Sequence, residues 1–142
     1  MSVQNNSSFK AIGIKKFIPG IAWFFVVLTL VCIPGEDLPK ADSWMIEINY
    51  DKLIHVGIFG VLAFLFMRPI AISSFSKKQK INYFIKIAIA TIVWGYTTEV
   101  IQKFYIPGRS YDLTDWLADS LGGVLAFIFC RWYFFKTPKT GV

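Results

Sequence analysis

Histidine occurs once in this 142-residue chain, cysteine twice, and acidic residues only nine times. Each scarcity removes a class of chemistry. With His55 alone and no HExxH spacing, there is no zinc-protease pattern, and neither a metal ion nor another cofactor is expected. His55 with Glu99, Asp115 or Asp119 would still combine nitrogen and oxygen ligands. Cys32 and Cys130 lie in apolar runs without CxxC or Cys/His spacing, which excludes zinc-finger and redox motifs. Ser110 and Ser120 lack the GxSxG elbow of a serine hydrolase. No internal repeat is present. The formal charge is +6, but its fifteen lysines and arginines are scattered at segment ends rather than massed in a stripe. That distribution argues against nucleic acid as a partner.

What is abundant is apolar surface. The chain is 55% hydrophobic and 18% aromatic, with a mean hydropathy of +0.52. Four long apolar runs are more than a soluble domain of this size buries. They cover Phe17–Ile33, Leu53–Met67 (reaching Ile72 if Pro69 only kinks the helix), Ile81–Ile101 and Leu113–Phe135. The first resembles a signal peptide, but no small-x-small cleavage site follows it. Val31 before Cys32 does not suit a lipoprotein site, so the run is read as a retained span. The expected organisation is a disordered basic flank over 1–16, a membrane domain over 17–135 and a basic tail over 136–142. An acidic loop over 34–50, with an interfacial turn around 44–46, and a basic loop over 73–80 join the helices.

The small residues Gly57, Gly60 and Ala63 in one run and Gly122, Gly123 and Ala126 in another suit close helix approach. Trp23, Trp44, Trp94, Trp116 and Trp132 are candidate interfacial anchors. Cys130 would lie roughly 21 Å below the outer end of its helix, too far from Cys32 for a disulfide.

Orientation follows from the basic residues. Lys10, Lys15, Lys16, Arg68, Lys77, Lys78, Lys80, Arg131, Lys136 and Lys139 flank one side; Lys40, Lys52, Lys103 and Arg109 flank the other. Ten against four puts both termini and the middle loop in the cytoplasm. The predicted fold is all-α: a polytopic four-transmembrane-helix bundle in the plasma membrane, in contact with the lipid bilayer.

That topology collects ionisable groups at the outer face, where each is costly unless paired, solvated or used. Asp51 and His55, four apart, share a helix face, and a carboxylate beside imidazole favours a general base. Glu99 and Gln102 share another face. Arg109 follows the Pro107-Gly108 turn as a planar fork, and Asp112, Asp115 and Asp119 line the next helix. Helix capping and ion pairing account for any one of them. They do not account for the whole set on one rim, since the small residues already supply the packing surface.

Asp51-Lys52-x-x-His55, Glu99-x-x-Gln102, Pro107-Gly108-Arg109-Ser110 and Asp112-x-x-Asp115, followed by Gly122, resemble the signature of the VanZ-like membrane proteins over roughly residues 20–135. The resemblance implies a small bacterial integral membrane protein of a family named for low-level teicoplanin resistance, in an envelope holding lipid-linked wall precursors. The family carries asparagine where this chain has Asp119, so no role is transferred there.

The residues then suggest an outer-face site that binds or modifies a lipid-linked or wall-derived ligand. His55, Asp51, Glu99 and Asp115 are its candidate catalytic groups; Lys52, Gln102, Arg109 and Asp112 are its candidate ligand contacts. No nucleophile stands out, and a binding site without turnover fits the same residues. The alternative is a non-enzymatic accessory membrane protein that acts through partner contacts, with a structural rim. A transporter is disfavoured, because no acid reaches mid-bilayer.

Overall fold

Every apolar run becomes a helix in the computed structural model, which describes residues 12–37 and 50–136. The helices are α1 (Ile18–Val31), α2 (Tyr50–Ala71), α3 (Lys77–Tyr105) and α4 (Leu113–Phe134), with short 3-10 turns at Ile14–Phe17 and Gly35–Asp37. Among the described residues there is no strand. With its preceding turn, α1 is long and apolar enough to cross a membrane, and so are the other three. Of the flank expected to be disordered over 1–16, residues 12–16 are described and Ile14–Phe17 forms a 3-10 turn; its first eleven residues, the interfacial turn at 44–46 and the tail beyond Lys136 lie outside the described residues.

Helix ends depart from the apolar runs for local reasons. α2 continues through Pro69 to Ala71, two residues past the proline, which forfeits the one bond its missing N–H would make to the Leu65 carbonyl without ending the helix. α3 starts at Lys77, inside the stretch expected to be a basic loop. Ser76 caps it reciprocally: the Gln79 N–H donates to Ser76 Oγ (3.3 Å) and the Ser76 N–H donates to Gln79 Oε1 (2.9 Å). The Lys80 ammonium then donates to the carbonyl of Ala71 (2.7 Å), closing the end of α2. At 29 residues α3 is about 43 Å long, well beyond a hydrocarbon core of about 30 Å. Its charged first turn and its Lys103 end can therefore both reach water.

Consecutive helices run antiparallel. The α1 C-terminus, the α2 N-terminus, the α3 C-terminus and the α4 N-terminus share one end. There the Gly35 N–H donates to the carbonyl of Pro107 (3.0 Å), tying the loop after α1 to the α3–α4 turn. Gly108 sits at φ +70°, the left-handed conformation that the Pro-Gly bend requires. A side chain on Gly35 would collide with the Gly108 carbonyl, so both glycines are needed for the loops to touch.

The tightest packing is between α2 and α4. A Cβ on Gly122 would lie 2.5 Å from the Val56 carbonyl oxygen and 2.8 Å from the Gly60 nitrogen. Gly60, Ala63 and Ala126 also belong to this contact region, whereas Gly57 meets nothing within 4 Å and drops out of the expected stripe. Towards the basic end, Met67, Ile70, Phe84, Ala88 and Cys130 form the main apolar core. α1 leans on α2, with Gly20 against Phe66 and the Trp23 indole N–H donating to the Ile58 carbonyl (2.9 Å).

The tryptophans divide. Trp116 donates to the Ile92 carbonyl (3.1 Å), joining α4 to α3, and Trp94 packs on Phe24. With Trp23, these two are half-buried joints between helices rather than interfacial anchors. The indole N–H groups of Trp23 and Trp116 find carbonyls of a neighbouring helix, which is cheaper than a donor left in hydrocarbon, whereas that of Trp94 is buried without a hydrogen-bond partner among the described residues. Trp132 is exposed, with the Lys136 ammonium 5.0 Å above its ring, as an anchor would be. Trp44 lies outside the described residues. Both cysteines are free as expected, Cys32 exposed and Cys130 buried.

Gly122→Ala is expected to cost about 1–3 kcal/mol through overpacking against α2. Gly57→Ala is expected to cost nothing measurable, because its new methyl enters open space and alanine favours the helix. Denaturant unfolding of both variants in mixed micelles checks the pair.

Candidate functional site

Two helices begin and two end on the side of the acidic rim, and this decides where charge is tolerated. Asp51 in the first turn of α2, and Asp112 and Asp115 at the start of α4, sit where free backbone N–H groups favour negative charge. Asp112 is the N-cap of α4: its carboxylate accepts from the Thr114 N–H (2.7 Å) and the Thr114 hydroxyl (2.6 Å). Those hydrogen bonds, with Lys52 adding to them, hold its pKa down at about 2.

Lys52 is the cation of the rim. Its ammonium meets Asp51 Oδ2 at 2.9 Å, Asp112 Oδ2 at 3.2 Å, and Asp115 Oδ1. Asp112 and Asp115 come from α4 and Lys52 from α2, so the clamp spans the tightest helix pair. Asp51, with 62% of its side chain exposed, only completes it from the water side.

Glu99 is wholly buried near the end of α3, where the helix dipole gives a carboxylate no help. It is held instead by donors. The Asp112 N–H donates to Glu99 Oε2 (2.9 Å). The Gln102 amide, oriented so that both ends meet complementary neighbours, donates to Glu99 Oε1 (3.2 Å) and accepts from the Arg109 guanidinium. Arg109 thus fixes Gln102, and through it Glu99, rather than standing free as a fork.

His55 is paired differently from expectation. Its Nδ1 lies 2.8 Å from Asp119 Oδ1, and its Nε2 lies 3.8 Å from Asp115 Oδ2. Asp51, expected to orient the ring, points outward to Lys52 instead. The helix spacing brought Asp51 and His55 to the same side of α2, but His55 sits one turn deeper and turns into the α4 interface. Asp119 reaches it because α3 opposes it with a glycine: a Cβ on Gly95 would stand 2.8 Å from Asp119 Cβ. The structure therefore brings His55, Glu99, Gln102, Arg109, Asp112, Asp115 and Lys52 together. It adds Asp119 and leaves Asp51 at the edge. The available clue to Asp119 was its i, i+4 spacing from Asp115, which continues one acidic face into the buried part of α4.

The arrangement holds three kinds of group within reach of one another: an imidazole oriented by a buried carboxylate, a second buried carboxylate, and a lysine shared by three acids. One donor atom each from His55, Glu99 and Asp119 lies within 4.8 Å of the others.

A protein-family model described as VanZ/LLP1 matches residues 4–135 of the chain, nearly its whole length and all of the residues above. Neither the curated proteins nor the solved structures contain a match.

Asp119→Ala is expected to destabilise the bundle by about 1–3 kcal/mol, since it leaves His55 without its buried partner. Asp51→Asn should stay within about 0.5 kcal/mol. Asp112→Ala should cost about 1 kcal/mol as a lost N-cap. Because the folded pKa of Asp112 lies below its ordinary 3.8, its contribution is present above that value and is lost as pH falls toward 2. The gap between wild type and Asp112→Ala should narrow over that window in thermal melts.

Proposed function

The chain belongs to the VanZ/LLP1 family, and on that premise we propose that its polar cluster is an extracytoplasmic site that binds or modifies a lipid-linked or wall-derived ligand of the cell envelope. The bundle would sit in the plasma membrane with both termini inside, as the ten-to-four distribution of basic residues supports. The observation that carries the proposal is the complete burial of Glu99 and Asp119 beside His55. Glycines and apolar side chains already pack these helices, and two buried carboxylates are an expensive addition to a frame that does not need them.

In an enzymatic form, His55 oriented by Asp119 is the base, and Glu99 and Asp115 flank the reacting position. In a binding form, the same acceptors recognise donors on the ligand. Among the described residues, the cluster itself has five carboxylates, those of Asp51, Glu99, Asp112, Asp115 and Asp119, against Lys52, Arg109 and His55. This balance favours an amide- or ammonium-bearing ligand over a bare anion. A wall-derived peptide or a lipid-linked precursor has such groups, and sequestering or altering one is a route to glycopeptide (teicoplanin) tolerance.

One observation favours the accessory reading. Lys52 is saturated by three acids, and Arg109 and Gln102 are spent on Glu99, so much of the rim is internally satisfied. Such a network would also serve a protein that works only through partner contacts.

Alanine changes at His55 and Glu99 separate the two. The site reading expects both variants to reach the membrane folded, at some cost in stability, with loss of any envelope phenotype and disappearance of a lipid or wall fragment that mass spectrometry finds with the wild type in mild detergent. Retention of phenotype and co-purifying ligand in both variants would refute it. Loss of folded protein alone would mark the rim as structural.

A further inference from the structure

The cations of the rim are unevenly distributed, and the two most deeply buried carboxylates receive none. Lys52 serves Asp51, Asp112 and Asp115. Arg109 reaches Glu99 only through the Gln102 amide. Among the described residues, neither Glu99 nor Asp119 has a lysine or arginine within ion-pair distance, and His55 is the one basic group beside them. The second oxygen of Asp119 is buried without any hydrogen-bond partner, although the side chain is 0% exposed. A carboxylate oxygen left bare in that environment is costly unless a proton or a cation stands against it.

Against the expectation from the histidine count, we propose that His55, Glu99 and Asp119 hold a single divalent transition-metal ion, of the Zn2+ or Mn2+ type. Donors bound to one such ion at roughly 2.1 Å each are at most about 4.2 Å apart. The three donor atoms already lie within 4.8 Å of one another, and donors in a tetrahedral shell of that radius stand about 3.4 Å apart, so closure on an ion requires side-chain shifts of about an ångström. One imidazole nitrogen and two carboxylates suit these ions by ligand type, and two negative charges neutralise a divalent cation. An ion there would also supply the positive charge that the Asp119 carboxylate lacks, since its second oxygen has no hydrogen-bond partner. The trio is not a surface acidic patch. Each member comes from a different helix, two are wholly buried, and Gly95 is the residue whose missing side chain lets Asp119 in. Three protein donors leave at least one coordination position open. With an ion in place His55, Glu99 and Asp119 are its ligands, so the proposal replaces the free imidazole base of the enzymatic form above, and it is independent of which envelope ligand the rim receives.

The test uses the full chain purified in mild detergent, stripped with EDTA, desalted, and then offered ZnCl2 or MnCl2. Retained metal, measured by elemental mass spectrometry, should reach one equivalent per chain, and the metal should raise the Tm in a way that EDTA reverses. Glu99→Gln and Asp119→Asn, close in shape to the native residues, should each weaken binding at least about tenfold. Glu36→Gln, an exposed acid at the same rim, should bind like wild type. The proposal is overturned if the wild type retains neither metal and shows no Tm rise, which is the outcome if protons alone neutralise the trio. It is equally overturned if Glu99→Gln and Asp119→Asn both bind normally, or if Glu36→Gln abolishes binding. Should one of the two site variants fail to fold, the other decides the comparison.

Discussion

The burial of two carboxylates at one end of an apolar bundle is the constraint around which the rest of this structure is arranged. A carboxylate removed from water needs donors, a cation or a proton. Glu99 is given donors, by a backbone N–H at the cap of α4 and by an amide held in place by Arg109. Asp119 is given His55 on one oxygen. Both depend on close helix approach, and that approach depends on glycine. Gly95 admits Asp119 against α3, Gly122 lets α4 lie against the backbone of α2, and Gly35 with Gly108 brings the two loops together over the same end. The small residues and the charged ones are therefore parts of one design: the first shorten the distances that the second require.

The lysine clamp has a different character. Lys52 and its three acids sit nearer to water, with Asp51 and Asp112 substantially exposed, and pairs of that kind contribute little individually. Their value is positional. Lys52 joins α2 to the first turn of α4 and so holds the helix on which Asp115 and Asp119 lie. Asp112 does the same for α3, since its side chain caps α4 while its N–H anchors Glu99. The exposed network thus orients the buried one.

The spans were readable from the sequence because a long apolar run has few alternatives to a membrane helix. The convergence of three segments on one rim was readable for the same reason, since topology alone decides which helix ends are neighbours. The pairing within the rim was not. Asp51 and His55 share a face by spacing, yet the ring turned to Asp119, because the choice of partner depends on an opening at Gly95 that only the packed bundle reveals. The start of α3 was also obscured: Ser76 and Gln79 carry the capping pattern, but the lysines around them read as loop. Trp23 and Trp116 looked like interfacial anchors by type. Their donors went instead to carbonyls of neighbouring helices, a decision made by helix contacts and not by residue identity.

Everything functional here rests on the acidic rim facing out of the cell. The most direct measurement is labelling of Ser110→Cys, in the turn that carries Arg109, with a membrane-impermeant maleimide on intact cells. Cys32 is exposed at the same end, so it is first replaced by serine. The account predicts labelling without permeabilisation. Labelling only after the membrane is opened would place the cluster on the cytoplasmic side and contradict an extracytoplasmic site.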